Sequence, residues 1–438
     1  MSQILPRAHF LAFAERALIL LSFIGSSTAF AQELSFSEAL QQAEQNAPQL
    51  LADAQRLQAA ELSVLPAGAL PDPKLQLGLD NLLIEGPNRF QTGGDFMTMR
   101  RIGLMQEFPN RAKRAARGET AQAQIAVARA QRVISLQSVR LNTALAWIAR
   151  RSAERELAAL VDLRAENKLL AGVVQAQLAS GKGMLTDAVL PRVEAALLDE
   201  REDALSAQVA QANAELHRWL GARADAPLLG EAPDWSLELA TLGAHLSRHP
   251  QLQAFASKQA LLQAQSNAAK ADKHADWALE VAYQQRGRAF GDMVSVQASF
   301  ALPFFTKTRQ DPLIAAKAAE LQALEFERET TTREHTAMFA GQLAEHARLV
   351  KSALRIEQIL LPLAAEKCTL ALTAWQSGSA DLSALIAARK ERVELLLRAI
   401  ALHAEVQQLA AQLHFAYGDS DPLSTNENTG RSTLGNSP

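Results

Sequence analysis

Between Arg111 and Ser180 the sequence contains no proline, and only Gly118 and Gly172 weaken a run dominated by alanine, leucine, glutamine, glutamate and arginine. At ~1.5 Å rise per residue this run makes a helix roughly 105 Å long, against about 11 residues for an ordinary globular helix. A helix of that length needs neighbours of similar length, because packing rather than propensity supplies most of its stability. Its apolar positions do not hold a clean seven-residue repeat and alanine is frequent. Closely spaced helices with neighbours on more than one side are therefore expected. A second long run, from about 310 to 377, repeats it at similar length.

The resemblance between the two runs extends to their surroundings. "NAPQLLADAQRLQAAELS" from Asn46 aligns with "RHPQLQAFASKQALLQAQS" from Arg248, "QEFPNRAKRAA" with "FALPFFTKTRQ", and "LASGKGMLTDA" with "WQSGSADLSAL". Pro48 thus matches Pro250, Pro109 matches Pro303 and Gly181 matches Gly378, in one order and at an offset of about 200 positions. The chain is a tandem duplication. The first repeat spans 32–220, a Gly/Pro-rich joint 221–236, and the second repeat 237–417.

Each repeat reads as helix, two strands, long helix, turn and return helix. Ser35 to Glu38 fits a capping box, Pro48 ends the helix it starts near Asn46, and "PAGALPDP" stops the next one near Leu65. Strands are expected at about 74–84, 96–108, 276–286 and 292–303. In the third, Trp277, Leu279, Val281 and Tyr283 alternate with Ala278, Glu280, Ala282 and Gln284. The second alternates poorly, because Arg100 and Arg101 interrupt it, and is assigned by its repeat partner. The tail 418–438 has little apolar content and is expected to be disordered.

Residues 1–31 read as a secretory signal peptide. Arg7 and Arg16 precede the apolar run from Ala17 to Gly25, and Ala29 and Ala31 precede a cleavage site before Gln32. No cysteine follows that site closely, so lipidation of the mature N-terminus is not expected, and the lone Cys368 reads as a small helix residue. A formal net charge of −3 does not mark a nucleic-acid binder. No later run is long and apolar enough for a spanning helix, so a membrane-spanning form of this chain has to be a closed β-barrel. Four strands cannot enclose water, so closure requires oligomerisation, with three copies supplying twelve strands.

Together the signal peptide, the duplicated helix-hairpin-long-helix plan and the two Gly-centred turns resemble the TolC-type outer-membrane factors of Gram-negative bacteria, over about Leu34 to Tyr417. The resemblance implies a mainly α fold with a small β part. It implies a homotrimer, with an α-helical barrel in the periplasm and a twelve-stranded β-barrel in the outer membrane. It further implies an exit duct for a tripartite exporter, working with a periplasmic adaptor and an inner-membrane pump of the resistance-nodulation-division (RND) class. The segment "DFMTMRRIGLMQEFPNRAKR" is most similar to members serving heavy-metal exporters. Ducts for organic drugs or type I secretion are the alternative within the family; outside it, a periplasmic adaptor or a structural coiled-coil protein is the rival. An adaptor would carry one helical hairpin where this sequence has two.

By the same resemblance the helical turns contact the adaptor, which assigns that role to Gly181, Leu185, Gly378 and Leu382, with Thr186 and Ser379 as candidate starts of the return helices. Family members often narrow the aperture with acidic residues just past the second turn. Here those positions are Ala384 and Ala387, leaving Asp187 and Asp381 as candidate aperture carboxylates. The corner between second strand and long helix holds Pro109, Arg111, Lys113, Arg114 and Arg117, mirrored by Pro303, Lys307 and Arg309. Positive charge at a helix N-terminus is mildly unfavourable, so these cations are expected to face anionic head groups of outer-membrane lipids. His245 and His249 have helical i, i+4 spacing, but nothing nearby completes a metal site, and surface histidines are expected. No nucleophile–base pair, phosphate loop or carboxylate constellation stands out, so neither catalysis nor a cofactor is expected.

Overall fold

The computed structural model describes residues 33–181, 183–235 and 246–418. The signal segment 1–31, Ser236 of the joint, His245 and the tail after Gly418 lie outside them. At the first helix the capping box is formed: Ser35 Oγ accepts from the Glu38 amide at 3.3 Å and Glu38 Oε2 accepts from the Ser35 amide at 3.0 Å. Helix α1 (Phe36–Asn46) buries Phe36, Ala39, Leu40 and Ala43, one stripe at helical spacing, and α2 (Pro48–Leu62) starts on the proline that ended it.

Strands β1 (Lys74–Asp80) and β2 (Met99–Phe108) lead into α3 (Arg111–Ala179), a single helix of 69 residues, and α4 (Leu190–Leu220) returns along it. The second repeat runs through α5 (Pro250–Ala271), β3 (Asp276–Gln285) and β4 (Met293–Ala301). Its long helix is α6 (Gln310–Arg355) followed by α7 (Leu361–Gln376), and α8 (Leu382–Tyr417) returns.

Between α6 and α7 the structure departs from one uniform helix over 310–377: Ile356–Leu360 form a π turn. Pro362 sits just beyond it, has no amide hydrogen for the carbonyl four residues back, and needs room for its ring. A widened turn accommodates both.

Helix α3 is the spine, packing against α1, α2, α4, α5 and α8. Where the repeats meet, Trp147 is fully buried and packs edge-on against Phe36 at 5.5 Å, with Leu216, Trp219 and Leu228 in the same cluster. A short parallel bridge, Leu34–Ser35 to Leu228–Leu229, ties the chain's start to the inter-repeat joint. Buried Arg150 satisfies the joint's backbone, donating to the carbonyls of Ala224 and Ala226 and to Asn213 Oδ1. Smaller clusters continue toward the tips, first Leu160, Leu163, Leu198, Leu205 and Leu397, then Leu170, Val174, Trp375, Leu382 and Leu385.

The four strands form one antiparallel sheet in the order β1-β2-β3-β4, with the hairpins of the two repeats joined by β2–β3 pairing. Strands β1 and β4 are its open edges.

Candidate functional site: an inverted sheet and two hairpin tips

The pairing registers place Leu75, Leu77, Leu79, Ile102, Leu104, Trp277, Leu279, Val281, Tyr283, Val294, Val296 and Phe300 on one face. These side chains are 36–72% exposed, whereas Glu280 and Gln284 on the other face are 8% and 9% exposed. The sheet is therefore inverted relative to one built for water: its apolar face is uncovered, while the polar face is enclosed around Glu280 and Gln284 of β3. Ten residues of β3 at ~3.4 Å each, tilted by about 40°, rise roughly 26 Å, close to the ~25 Å apolar band of an outer-membrane barrel.

Charges on the polar face are paired across strands. Arg101 of β2 donates to Glu280 of β3 and lies 3.9 Å from Asp80 of β1; Lys74 pairs with Glu107. Gly103 makes the first contact possible, because a Cβ there would stand 3.0 Å from Glu280 Oε1 and 3.1 Å from Ala282 Cβ. Gln284 donates to Ser295 Oγ at 2.8 Å. The poor alternation of the second strand now has a cause. Arg101 belongs to the polar face, and Arg100 lies at the end of the strand away from the helices, opposite Gln285. Glu280 was readable as the odd acid in an otherwise apolar–small alternation; its partner was not.

At the corner, Asn110 caps α3 by accepting from the Ala112 amide at 2.9 Å. Asp276, the first residue of β3, accepts from the Asn110 amide at 2.8 Å and from Lys113 Nζ at 2.7 Å, and Arg117 is near enough to act on the same carboxylate. Lys113 is thus turned into the protein, only 11% of its side chain being exposed, and the head-group role expected for it is corrected. The structural reason is that the neighbouring strand delivers a carboxylate to the helix N-terminus. Arg114 is half-buried, with its Nε unpartnered, whereas Arg111, Lys307 and Arg309 are exposed. Pro109 and Pro303 each follow the end of a strand.

At the tips both glycines take the left-handed conformation, φ +71° at Gly181 and +74° at Gly378. After α7 the amide of Gly378 donates to the Trp375 carbonyl at 3.0 Å and that of Ser379 to Ala374 at 2.9 Å, closing the helix C-terminus. Thr186 and Ser379 do not start the return helices. Thr186 lies within a 3-10 turn (Leu185–Ala188), and the Ser379 hydroxyl donates back to Ala374. Asp187 accepts from the Met184 amide at 3.2 Å, so this candidate aperture carboxylate also stabilises its own turn, while Asp381 is exposed. Leu185 is 86% exposed, but Leu382 is 1% exposed and packs on Leu170, Val174, Trp375 and Leu385. Its contact role as an exposed tip leucine is corrected, since the first turn of α8 tucks that side chain under the hairpin.

Above the tips, Arg389 of α8 reaches Glu194 of α4 at 3.3 Å, and Arg392 reaches Glu166 of α3 at 2.5 Å, linking the two hairpins. Beside this link an apolar groove of about 480 Å³ runs between α4 and α8, lined by Leu160, Val193, Leu197, Ile386 and Val393.

The histidines are not all on the surface. His249 caps α5 through Nδ1, which accepts from the Gln251 amide at 3.2 Å, and its ring lies 4.0 Å from that of His335; both are buried. Loss of water, aided by the neighbouring imidazole, lowers the His249 pKa to about 4. Among the described residues no three histidine, cysteine or acidic side chains are grouped to hold a metal, and no helix is long and apolar enough to cross a membrane.

No protein-family model and no curated protein matches the chain. Solved structures do. The outer-membrane channel OprN superposes with a TM-score of 0.73 at 15% identity, covering 87% of this chain and 89% of that one. The outer membrane protein VceC of Vibrio cholerae gives 0.70 at 18% identity over 87% and 96%, and CusC, described as forming a transmembrane channel, 0.70 at 16% over 87% and 92%. The chain has the fold of these channels, mainly helical with a small sheet.

Proposed function

We propose that three copies of this chain form an outer-membrane exit duct that passively conducts substrates delivered by an inner-membrane RND-type pump through a periplasmic adaptor. The carrying observation is the inverted sheet, an exposed apolar face of membrane-spanning height backed by a polar one whose centre, Glu280 and Gln284, is enclosed. Water would leave that face uncovered, whereas lipid covers it and the polar face lines a wet lumen. Open edges at β1 and β4 support closure between copies, and the up-down order makes a β4-to-β1 junction antiparallel with both faces preserved.

In this reading the hairpin tips meet the adaptor at Gly181, Leu185 and Gly378, with the groove between α4 and α8 as an apolar seat above them. Three copies of Asp187 or Asp381 around the axis favour cations at the aperture. Heavy-metal cations are the proposed substrate, on the likeness of the Asp95–Arg114 segment to metal-exporting members of the family.

Conductance across a planar bilayer by the purified, detergent-extracted protein tests the duct; a folded protein that inserts and never conducts refutes it. A deletion strain that becomes sensitive to metal salts supports the substrate, while sensitivity confined to organic drugs overturns it.

A further inference from the structure

We propose that the helix-side rim of the apolar sheet face binds the phosphate of anionic phospholipids through Arg111, Lys307 and Arg309. The proposal rests on the membrane-spanning reading of the sheet and adds the class of lipid that the rim selects.

Its first support is an aromatic row. The registers set Phe108 opposite Trp277 and Trp277 opposite Phe300, so three aromatic residues lie side by side at the helix end of the apolar face. Phe108 and Trp277 are stacked at 4.2 Å. Just beyond, where β4 leaves the sheet, Phe304 and Phe305 are strongly exposed. Aromatic side chains at the end of an apolar band mark the level where acyl chains give way to head groups.

The second support is how the protein spends its cations at that level. Lys74 pairs with Glu107, Lys113 with Asp276 and Lys273 with Asp311. Arg111, Lys307 and Arg309 have no carboxylate within salt-bridge distance among the described residues, and all three are exposed. Arg111 lies three residues past the end of β2, and Lys307 and Arg309 six and eight residues past the end of β4, beyond Pro109 and Pro303, so all three stand on the helix side of the aromatic row. Cations without partners beside an apolar surface complement a phosphate that carries net negative charge. Zwitterionic head groups attract them less, because the ammonium offsets the phosphate. Attraction to an anionic surface is worth on the order of fivefold in binding per basic residue and weakens with salt.

Native mass spectrometry of the detergent-extracted full assembly, incubated with equal amounts of phosphatidylglycerol and phosphatidylethanolamine, reads the preference directly. The wild-type protein should retain phosphatidylglycerol at least tenfold over phosphatidylethanolamine. The Arg111→Gln/Lys307→Gln/Arg309→Gln variant should lose most of that ratio, and Arg333→Gln, on an exposed helical face, should keep it. Equal retention of both lipids by the wild type, or an unchanged ratio in the triple variant, overturns the proposal. Conductance in neutral bilayers separates the two readings. A protein that conducts without lipid preference refutes only the lipid site, and one that never inserts removes both.

Discussion

Replacing Val296 by lysine should prevent assembly, while the same replacement at Gln297, the next residue, should be tolerated. Val296 lies at the middle of β4 on the exposed apolar face, opposite Val281; Gln297 lies on the polar face opposite Glu280, where an ammonium gains a partner. A lysine facing lipid near the bilayer midplane costs about 2–4 kcal/mol, and a closed assembly carries the change three times, so the trimer loses roughly 6–12 kcal/mol. That is comparable to the whole stability of a folded domain. In water the sign differs, because lysine in place of an exposed valine shifts stability by no more than about 0.5 kcal/mol and improves solubility. The assay is the yield of heat-modifiable trimer in the outer-membrane fraction, followed by urea titration in vesicles. Wild-type yield for Val296→Lys, or equal loss for Gln297→Lys, would refute the assignment of the two faces.

Three further outcomes follow from the helical part. The buried neutral His249, pKa about 4 against 6.5 in the unfolded chain, should make stability fall as pH drops from about 6.5 to about 4, by up to about 3 kcal/mol, with no contribution from this group above pH 6.5. Urea midpoints should show a shallower slope in His249→Asn, which keeps a cap acceptor, than in the wild type, the remainder coming from His335, His346 and His414, which burial also lowers; identical slopes would sink the idea. Arg389→Ala leaves the Glu194 carboxylate, 12% exposed, without its partner, and after discounting for residual solvent should loosen the link between hairpins by about 2 kcal/mol, read as faster hydrogen exchange in α8 near Arg389. Leu382→Ala should cost about 2–4 kcal/mol in thermal unfolding, whereas Leu185→Ala should change stability little and weaken adaptor pull-down; the opposite assignment would refute the tip geometry.

Some of this protein was written in the sequence because local chemistry decides it. A proline-free run rich in alanine and leucine sets the local preference of α3 for helix, a glycine after such a run sets the left-handed turn at Gly378, and strict alternation from Trp277 to Tyr283 makes a strand with two unlike faces. The sequence also forbade four strands from enclosing water by themselves. It could not say which distant groups would meet. Lys113 finding Asp276, Arg101 finding Glu280 over Gly103, His249 lying against His335, and Leu382 turning inward beside Leu185 exposed are all consequences of packing between segments far apart in the chain. Periodicity sets the face a residue occupies within its own element; only the assembled tertiary structure decides what that face meets, because burial and charge pairing depend on neighbours that no local pattern names.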